Sequence, residues 1–252
     1  MTEQGFSAAS EQQYELKYLL YLPSGYGDAA PRDAVDQQDP GDQRDKIDPE
    51  DAGERYPLVL FLHGSGERGD DLSKVKLWGV PKRLATGKGR WADFPAIVVS
   101  PQCPAENERW DTDELLALID SIEARYRVDP DRVYVTGLSM GGYATWALAE
   151  RAPERFAAIV PICGGYPYAP IAAPRRLRRL PAWAFHGDAD QIVPVTETLD
   201  VVVPLKRAGG DVRWTVFEGV GHVSWPMAYE MDELWEWLFR QRRSAREAPD
   251  GS

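Results

Sequence analysis

Val133-Tyr134-Val135-Thr136-Gly137-Leu138-Ser139-Met140-Gly141-Gly142-Tyr143-Ala144-Thr145-Trp146-Ala147-Leu148 is the stretch on which the reading of this chain turns. Four β-branched or aromatic residues lead into a G-x-S-x-G turn, and a run rich in Ala, Leu and Trp leaves it. This is strand, sharp turn, helix, the context in which a serine oxygen is projected above a sheet while the flanking glycines remove side chains that would collide across the turn. A helix starting behind Ser139 adds unpaired N–H groups and a positive dipole end, which suit a developing negative charge. With 22 Gly and 11 Ser in 252 residues, the bare pattern arises by chance at roughly 0.08 per chain. Its placement between an apolar strand and a helix, rather than the pattern itself, therefore carries the reading.

Outward from this segment, short apolar runs alternate with longer amphipathic ones, the signature of βα units wound on a mostly parallel sheet. The expected strands are Leu58–Leu62, Ala96–Ser100, Arg132–Thr136, Ala157–Ile162, Ala182–Phe185 and Val212–Phe217. Helices are expected over Asp113–Arg125, where Leu115, Leu118, Ile119 and Ile122 recur at helical spacing, and over Gly141–Arg151, Glu197–Arg207 with a kink at Pro204, and Ala228–Arg240. Partial alternation in Tyr14–Leu20 predicts an antiparallel edge or entry strand ahead of them. In such sheets chemistry collects on the loops at the carboxyl ends of the strands.

Composition sets the outer limits. The net charge of −11, from 29 Lys+Arg against 40 Asp+Glu, argues against a nucleic-acid partner, because phosphate affinity is built from clustered Lys and Arg. A hydrophobic content of 43% supports a sizeable core, and one domain is expected over residues 1–252, with its core at about 14–240. Residues 28–55 hold ten acids and four bases and read as a flexible acidic insertion; residues 241–252 read as a polar tail. No apolar run approaches the roughly 20 residues of a membrane helix, so no membrane partner is expected. Met1-Thr2-Glu3-Gln4 lacks the features of a secretory leader, giving a cytoplasmic expectation. The two cysteines, Cys103 and Cys163, follow strands expected to lie about 14 Å apart, too far for a disulfide.

A serine hydroxyl needs a general base, and the chain has three histidines. His63 and His186 each end a strand and hand it to a glycine turn, so both read as structural. His222 lies in Gly219-Val220-Gly221-His222-Val223-Ser224-Trp225 after the last strand. Where this elbow carries a triad, the order along the chain is nucleophile, acid, histidine, and His222 alone follows both Ser139 and a plausible acid. That acid lies in Gly187-Asp188-Ala189-Asp190, where Asp188 and Asp190 compete. The N–H of Met140, after the nucleophile, and that of Ser65, in His63-Gly64-Ser65-Gly66, are positioned as an oxyanion hole, with Gly64 allowing substrate to approach the backbone. Trp110 and Trp225 fall on loops at the same edge and are candidate pocket walls. No metal or other cofactor is implied, since no histidine–carboxylate cluster with ligand spacing remains.

Taken together, His63-Gly64-Ser65-Gly66, Gly137-Leu138-Ser139-Met140-Gly141, His186-Gly187-Asp188-Ala189-Asp190 with Val193-Pro194, and Gly221-His222 resemble the α/β-hydrolase superfamily. More narrowly, Leu22-Pro23-Ser24-Gly25-Tyr26, Gly66-Glu67-Arg68-Gly69-Asp70 and Ser100-Pro101-Gln102-Cys103 resemble the bacterial esterases and peptidases related to dienelactone hydrolases, polyhydroxybutyrate depolymerases and feruloyl esterases. The resemblance covers about Tyr18 to Phe239. It implies an α/β-hydrolase fold without a large cap domain. It also selects Asp190, the aspartate three residues before Val-Pro, as the acid. The implied activity is hydrolysis of small to medium carboxylic esters through an acyl-enzyme. A serine peptidase acting on small peptides, a polyester or feruloyl esterase, and a non-catalytic binding protein on the same scaffold are the rivals.

Overall fold

The segment Tyr56–Leu62 is apolar along its whole length and buried at every position, as befits a strand covered on both faces. Successive side chains of a strand point to opposite faces. Leu58, Leu60 and Leu62 accordingly enter one core cluster, while Val59 and Phe61 enter the other. The structure is a computed structural model describing residues 2–7, 15–26, 53–166 and 175–244. The expected acidic insertion, apart from residues 53–55, and the tail beyond residue 244 lie outside the described residues.

Among the described residues the strands are β1 (Thr2–Ser7), β2 (Glu15–Tyr21), β3 (Tyr56–Leu62), β4 (Ile97–Pro101), β5 (Val128–Leu138), β6 (Ala158–Ile162), β7 (Ala182–Gly187) and β8 (Val212–Phe217). They form one sheet in the order β1-β2-β4-β3-β5-β6-β7-β8. The six strands from β4 to β8 in that order run parallel, and β1 and β2 are antiparallel additions. Of the two readings of Tyr14–Leu20, β2 is the antiparallel entry strand and not the edge, because β1 pairs outside it; the polar sequence of Thr2–Ser7 carries no apolar alternation that could have announced it.

Helices α2 (Thr112–Arg125), α3 (Met140–Arg151) and α4 (Thr196–Arg207) cover the first face, and α1 (Gly79–Thr86), α5 (Trp225–Glu230) and α6 (Asp232–Arg240) the second. Asp111 caps α2 by accepting hydrogen bonds from the N–H groups of Asp113 and Glu114 at 2.8 and 3.1 Å, an N-cap that satisfies donors otherwise left orphaned. The helix α4 continues through Pro204. The single helix expected over Ala228–Arg240 is instead two, broken at Met231, whose ψ of 118° is extended. The break has a cause in packing: it leaves the Tyr229 carbonyl free to accept the Trp235 indole N–H at 2.9 Å, and it turns Tyr229 and Trp235 toward the same core. The stretch from Asp70 to Asp93 folds down over α1 and a following 3-10 turn, Gly89–Ala92, and packs Val80, Leu84 and Trp91 onto the sheet.

Register then sets the site. Leu62 pairs with Gly137, Leu138 with Ile162 and Gly187 with Phe217. The loops after β3, β5, β6, β7 and β8 thus leave the sheet side by side along one edge, where ligands of open α/β sheets bind.

Candidate active site

Ser139 sits between β5 and α3 with φ 53° and ψ −117°, a left-handed conformation that a residue with a Cβ adopts at a cost of about 1–3 kcal/mol. The strain is held in place by close backbone approaches. A Cβ on Gly141 would collide with the carbonyls of Leu62 and His63, and one on Gly137 with the backbone of Gly141. The Ser139 N–H donates to the Ile162 carbonyl at 3.0 Å and lies 3.3 Å from the Cys163 sulfur. Cys163 itself has φ 41° and is fully buried; that burial raises its thiol to about 12.

The structure brings Ser139, His222 and Asp190 into one line. Ser139 Oγ is 3.0 Å from His222 Nε2, and His222 Nδ1 is 2.7 Å from Asp190 Oδ2. Asp190 is buried. Desolvation raises its carboxyl, but the hydrogen bonds from His222, Val193 N–H and Ile192 N–H outweigh that and leave it below the usual carboxylate range. The ionised carboxylate therefore accepts a hydrogen bond from His222 Nδ1–H, and Nε2 is left to accept from the serine hydroxyl. Asp188, the competing acid, is exposed and instead accepts the Gly219 N–H at 2.7 Å, holding the turn that leads to His222.

The loop after β3 stands against the nucleophile. A Cβ on Gly64 would lie 3.6 Å from that of Ser139, and Ser65 opens a short 3-10 turn, Ser65–Glu67. Met140 is the first residue of α3, so its N–H has no acceptor within the helix. Behind this loop His63 is fully buried, and burial is the main reason its imidazole falls to about 4. The Cys103 N–H donates to His63 Nε2 at 3.0 Å, and Nδ1 donates to the Gly64 carbonyl at 2.6 Å. Gln102 extends the brace by donating to the carbonyls of Glu67 and Asp71 at 2.8 and 2.9 Å. Arg68 ties Ser65 O to Asn107 O at 3.0 and 2.8 Å.

The two tryptophans proposed as pocket walls separate. Trp110 is buried behind His63, with ring centroids 4.7 Å apart, and its indole donates to the His63 carbonyl at 3.3 Å; the space it fills is that of the loop brace. Trp225 packs edge-on to His222 at 5.7 Å and to Trp78 at 5.7 Å. Exposed apolar side chains stand within two residues of these groups in sequence: Ile192 after Asp190, Val223 after His222, Leu77 before Trp78 and Met227 after Trp225. Sequence reasoning missed this rim, and also missed the two N–H groups from Ile192 and Val193 that hold Asp190 Oδ1 at 2.9 Å each. An Asp followed by its own i+2 and i+3 amides is a turn signal that could have revealed the latter. Among the described residues no group of three or more His, Cys, Asp or Glu side chains converges as a metal site.

Comparison with known proteins gives four relevant findings. The dienelactone hydrolase family matches residues 98–225, just over half of the chain. NocK of Nocardia uniformis subsp. tsuyamanensis is 30% identical over 149 residues, 56% of this chain and 42% of NocK, and acyl-protein thioesterase 1 of Gibberella zeae is 25% identical over 219 residues, 75% of this chain and 92% of its own length. A crystal structure of a thermostable esterase matches with a TM-score of 0.71 and 32% identity, covering 96% of this chain and 63% of that one. The fold is the α/β-hydrolase fold that the sequence implied. The chain spans less than half of NocK and less than two thirds of the thermostable esterase.

Proposed function

The chain belongs to the dienelactone hydrolase family, and on that premise we propose that it hydrolyses carboxylic esters through an acyl-enzyme formed on Ser139. The observation that carries the reading is the continuous line from Ser139 Oγ through His222 to Asp190, with steps of 3.0 and 2.7 Å. Ser139 Oγ attacks the ester carbonyl as His222 Nε2 takes the hydroxyl proton, and Asp190 holds the imidazole in the required tautomer and offsets the charge of the imidazolium. The Met140 and Ser65 N–H groups take the oxyanion; each such donor is worth on the order of 10²–10³ in rate. The C–O bond to the alcohol breaks, and His222 delivers the proton to the leaving oxygen. Water then attacks the acyl-enzyme, giving its proton to His222, and the acid departs as the proton returns to Ser139 Oγ.

The substrate in this reading is a small to medium ester with an apolar arm. That arm rests on the rim formed by Ile192, Val223 and the Trp78–Trp225 pair. Every step uses this chain's own side chains, main-chain N–H groups and a water molecule. Hydrolysis of p-nitrophenyl esters from acetate to palmitate, compared between the intact protein and Ser139→Ala, tests the proposal. Activity that peaks at short or medium chains and disappears in the variant is the expected result. No hydrolysis of any ester by folded protein would overturn it.

A further inference from the structure

We propose that His186, which the sequence marks only as a turn-fixing histidine, is a positioning residue that holds the Asp190 carboxylate in line with His222. The inference rests on the triad reading above. His186 is fully buried at the end of β7. Its Nε2 lies 2.9 Å from the Val193 carbonyl oxygen and 3.2 Å from Asp190 Oδ2. Both of these are acceptors, so Nε2 carries a proton, which it donates to the Val193 carbonyl while lying against the Asp190 carboxylate. On the other side of the ring, Nδ1 is 2.8 Å from Thr198 Oγ1, which in turn is 2.7 Å from the Gly164 carbonyl. In the neutral imidazole a proton on Nε2 leaves Nδ1 as the acceptor, so this tautomer takes the single hydroxyl proton of Thr198 on Nδ1.

Asp190 consequently faces two nitrogens at each oxygen, three of them as hydrogen-bond donors. Oδ1 accepts hydrogen bonds from the N–H groups of Ile192 and Val193, and Oδ2 accepts one from His222 Nδ1 and has His186 Nε2 in contact at 3.2 Å. Rotation of the carboxyl group about its bond to Cβ would break all four, which is why the second histidine fixes the plane that the first one uses. The contacts also close into a circuit. From Asp190 it runs through His186 and Thr198 to Gly164, then along the chain to Cys163, whose sulfur is 3.3 Å from the Ser139 N–H. It returns from Ser139 Oγ through His222 to Asp190. Acid and nucleophile, on loops from different strands, are thereby referred to one another through buried polar contacts as well as through the sheet. A misplacement of about 1 Å in such a constellation costs on the order of 10² in rate.

The test uses two amides in place of the imidazole. Glutamine places its nitrogen near the position of Nε2, whereas the shorter asparagine ends near Nδ1 and reaches no oxygen of Asp190. Readouts are the rate of Ser139 phosphonylation by a fluorophosphonate, which needs no knowledge of the natural ester, and kcat and KM on p-nitrophenyl butyrate. His186→Asn is expected to lower both the labelling rate and kcat by about 10- to 100-fold with KM nearly unchanged, and His186→Gln to restore most of the loss. In an Asp190→Ala background the asparagine change should have no further effect, because there is no carboxylate left to position. Equal labelling of the wild type and folded His186→Asn, equal damage from asparagine and glutamine, or a loss that adds in full to Asp190→Ala would each overturn the inference. His186→Leu replaces the asparagine variant in the cycle should the latter not fold. Wild-type protein that is labelled but cleaves no ester refutes the ester reading alone, and the labelling rates still decide the role of His186. Wild-type protein that is not labelled refutes both.

Discussion

Replacing Asp190 by asparagine puts the charge logic of the site under the strongest strain. The carboxylate is met by donors on both oxygens: two main-chain N–H groups at 2.9 Å on Oδ1, and His222 Nδ1 at 2.7 Å with His186 Nε2 at 3.2 Å on Oδ2. An amide has one acceptor and one donor end, so one side must face donor to donor. Main-chain N–H groups cannot change their protonation, but imidazoles can. The amide nitrogen therefore turns toward the histidines, and His222 moves its proton to Nε2, 3.0 Å from Ser139 Oγ. A base that presents N–H to the nucleophile cannot accept the serine proton. The wrong-tautomer penalty measured for such a change in another serine hydrolase is about 10⁴ in kcat, which is about 5 kcal/mol of transition-state stabilisation. The expected outcome is a fall of that order in kcat on p-nitrophenyl butyrate, with KM within about threefold because the substrate rim is untouched. Exchange of charge-assisted bonds for neutral ones should also lower unfolding stability by about 1–3 kcal/mol in urea. A folded Asp190→Asn variant whose kcat stays within tenfold of wild type would refute the reasoning, since it would mean that the tautomer of His222 is set elsewhere.

Three further outcomes follow from the same geometry. Ser139→Gly should abolish hydrolysis as fully as Ser139→Ala yet unfold at higher urea, by about 1 kcal/mol, because glycine adopts φ 53° without the penalty that a Cβ carries; equal midpoints would show that the elbow is not strained. Gly141→Ala should be among the most damaging substitutions in the chain, at about 4 kcal/mol or worse, since its Cβ meets the Leu62 and His63 carbonyls, whereas Gly66→Ala on the exposed loop meets nothing within 4 Å and should shift the urea midpoint hardly at all. His63, lowered mainly by burial from 6.5 to about 4, is neutral in both folded and unfolded chains above pH 6.5. Between pH 6.5 and about 4 the unfolded chain binds the extra proton, so stability falls with falling pH across that window by up to about 3 kcal/mol and levels off below it. Urea midpoints of His63→Gln should lose this part of the pH dependence and fall less steeply than those of the wild type between pH 6.5 and about 4; an unchanged pH dependence would locate the titration elsewhere.

What the sequence disclosed follows from where local sterics leave no choice. The elbow was legible because strand, G-x-S-x-G turn and helix follow one another along the chain, and the collision that Gly137 avoids, with the Gly141 carbonyl, is itself local; the one that Gly141 avoids, with Leu62 and His63 at the end of β3, is not. The six parallel strands were legible to within a few residues because a strand covered on both faces must be apolar throughout. The β1 strand, α1 and the break at Met231 were not, since each depends on a partner elsewhere: β2 for the first, the second sheet face for α1, and the Trp235 indole at the Tyr229 carbonyl for the last. Side-chain roles divide in the same way. Asp188 and Asp190 are equivalent by composition and spacing, and only the resemblance separated them. Trp110 and Trp225 both looked like loop aromatics at one edge, yet one braces the loop after β3 from behind while the other flanks His222.

The distinction has a consequence for how the site is built. Residues that sequence alone can identify, Ser139 above all, are held by backbone geometry that a few neighbours impose. Residues that set the alignment of the triad are held by contacts across four strands, and these leave no local trace. His186 and Asp190, four residues apart, illustrate both kinds at once: their spacing is local, but the donors and acceptors that give it meaning come from Thr198 on α4 and Gly164 after β6. Precision in the nucleophile is thus bought with strain at one turn, while precision in the acid and base depends on the register of the whole sheet. Substitutions far from Ser139 that shift β6 or β7 by a fraction of an ångström should therefore reduce kcat before they reduce stability.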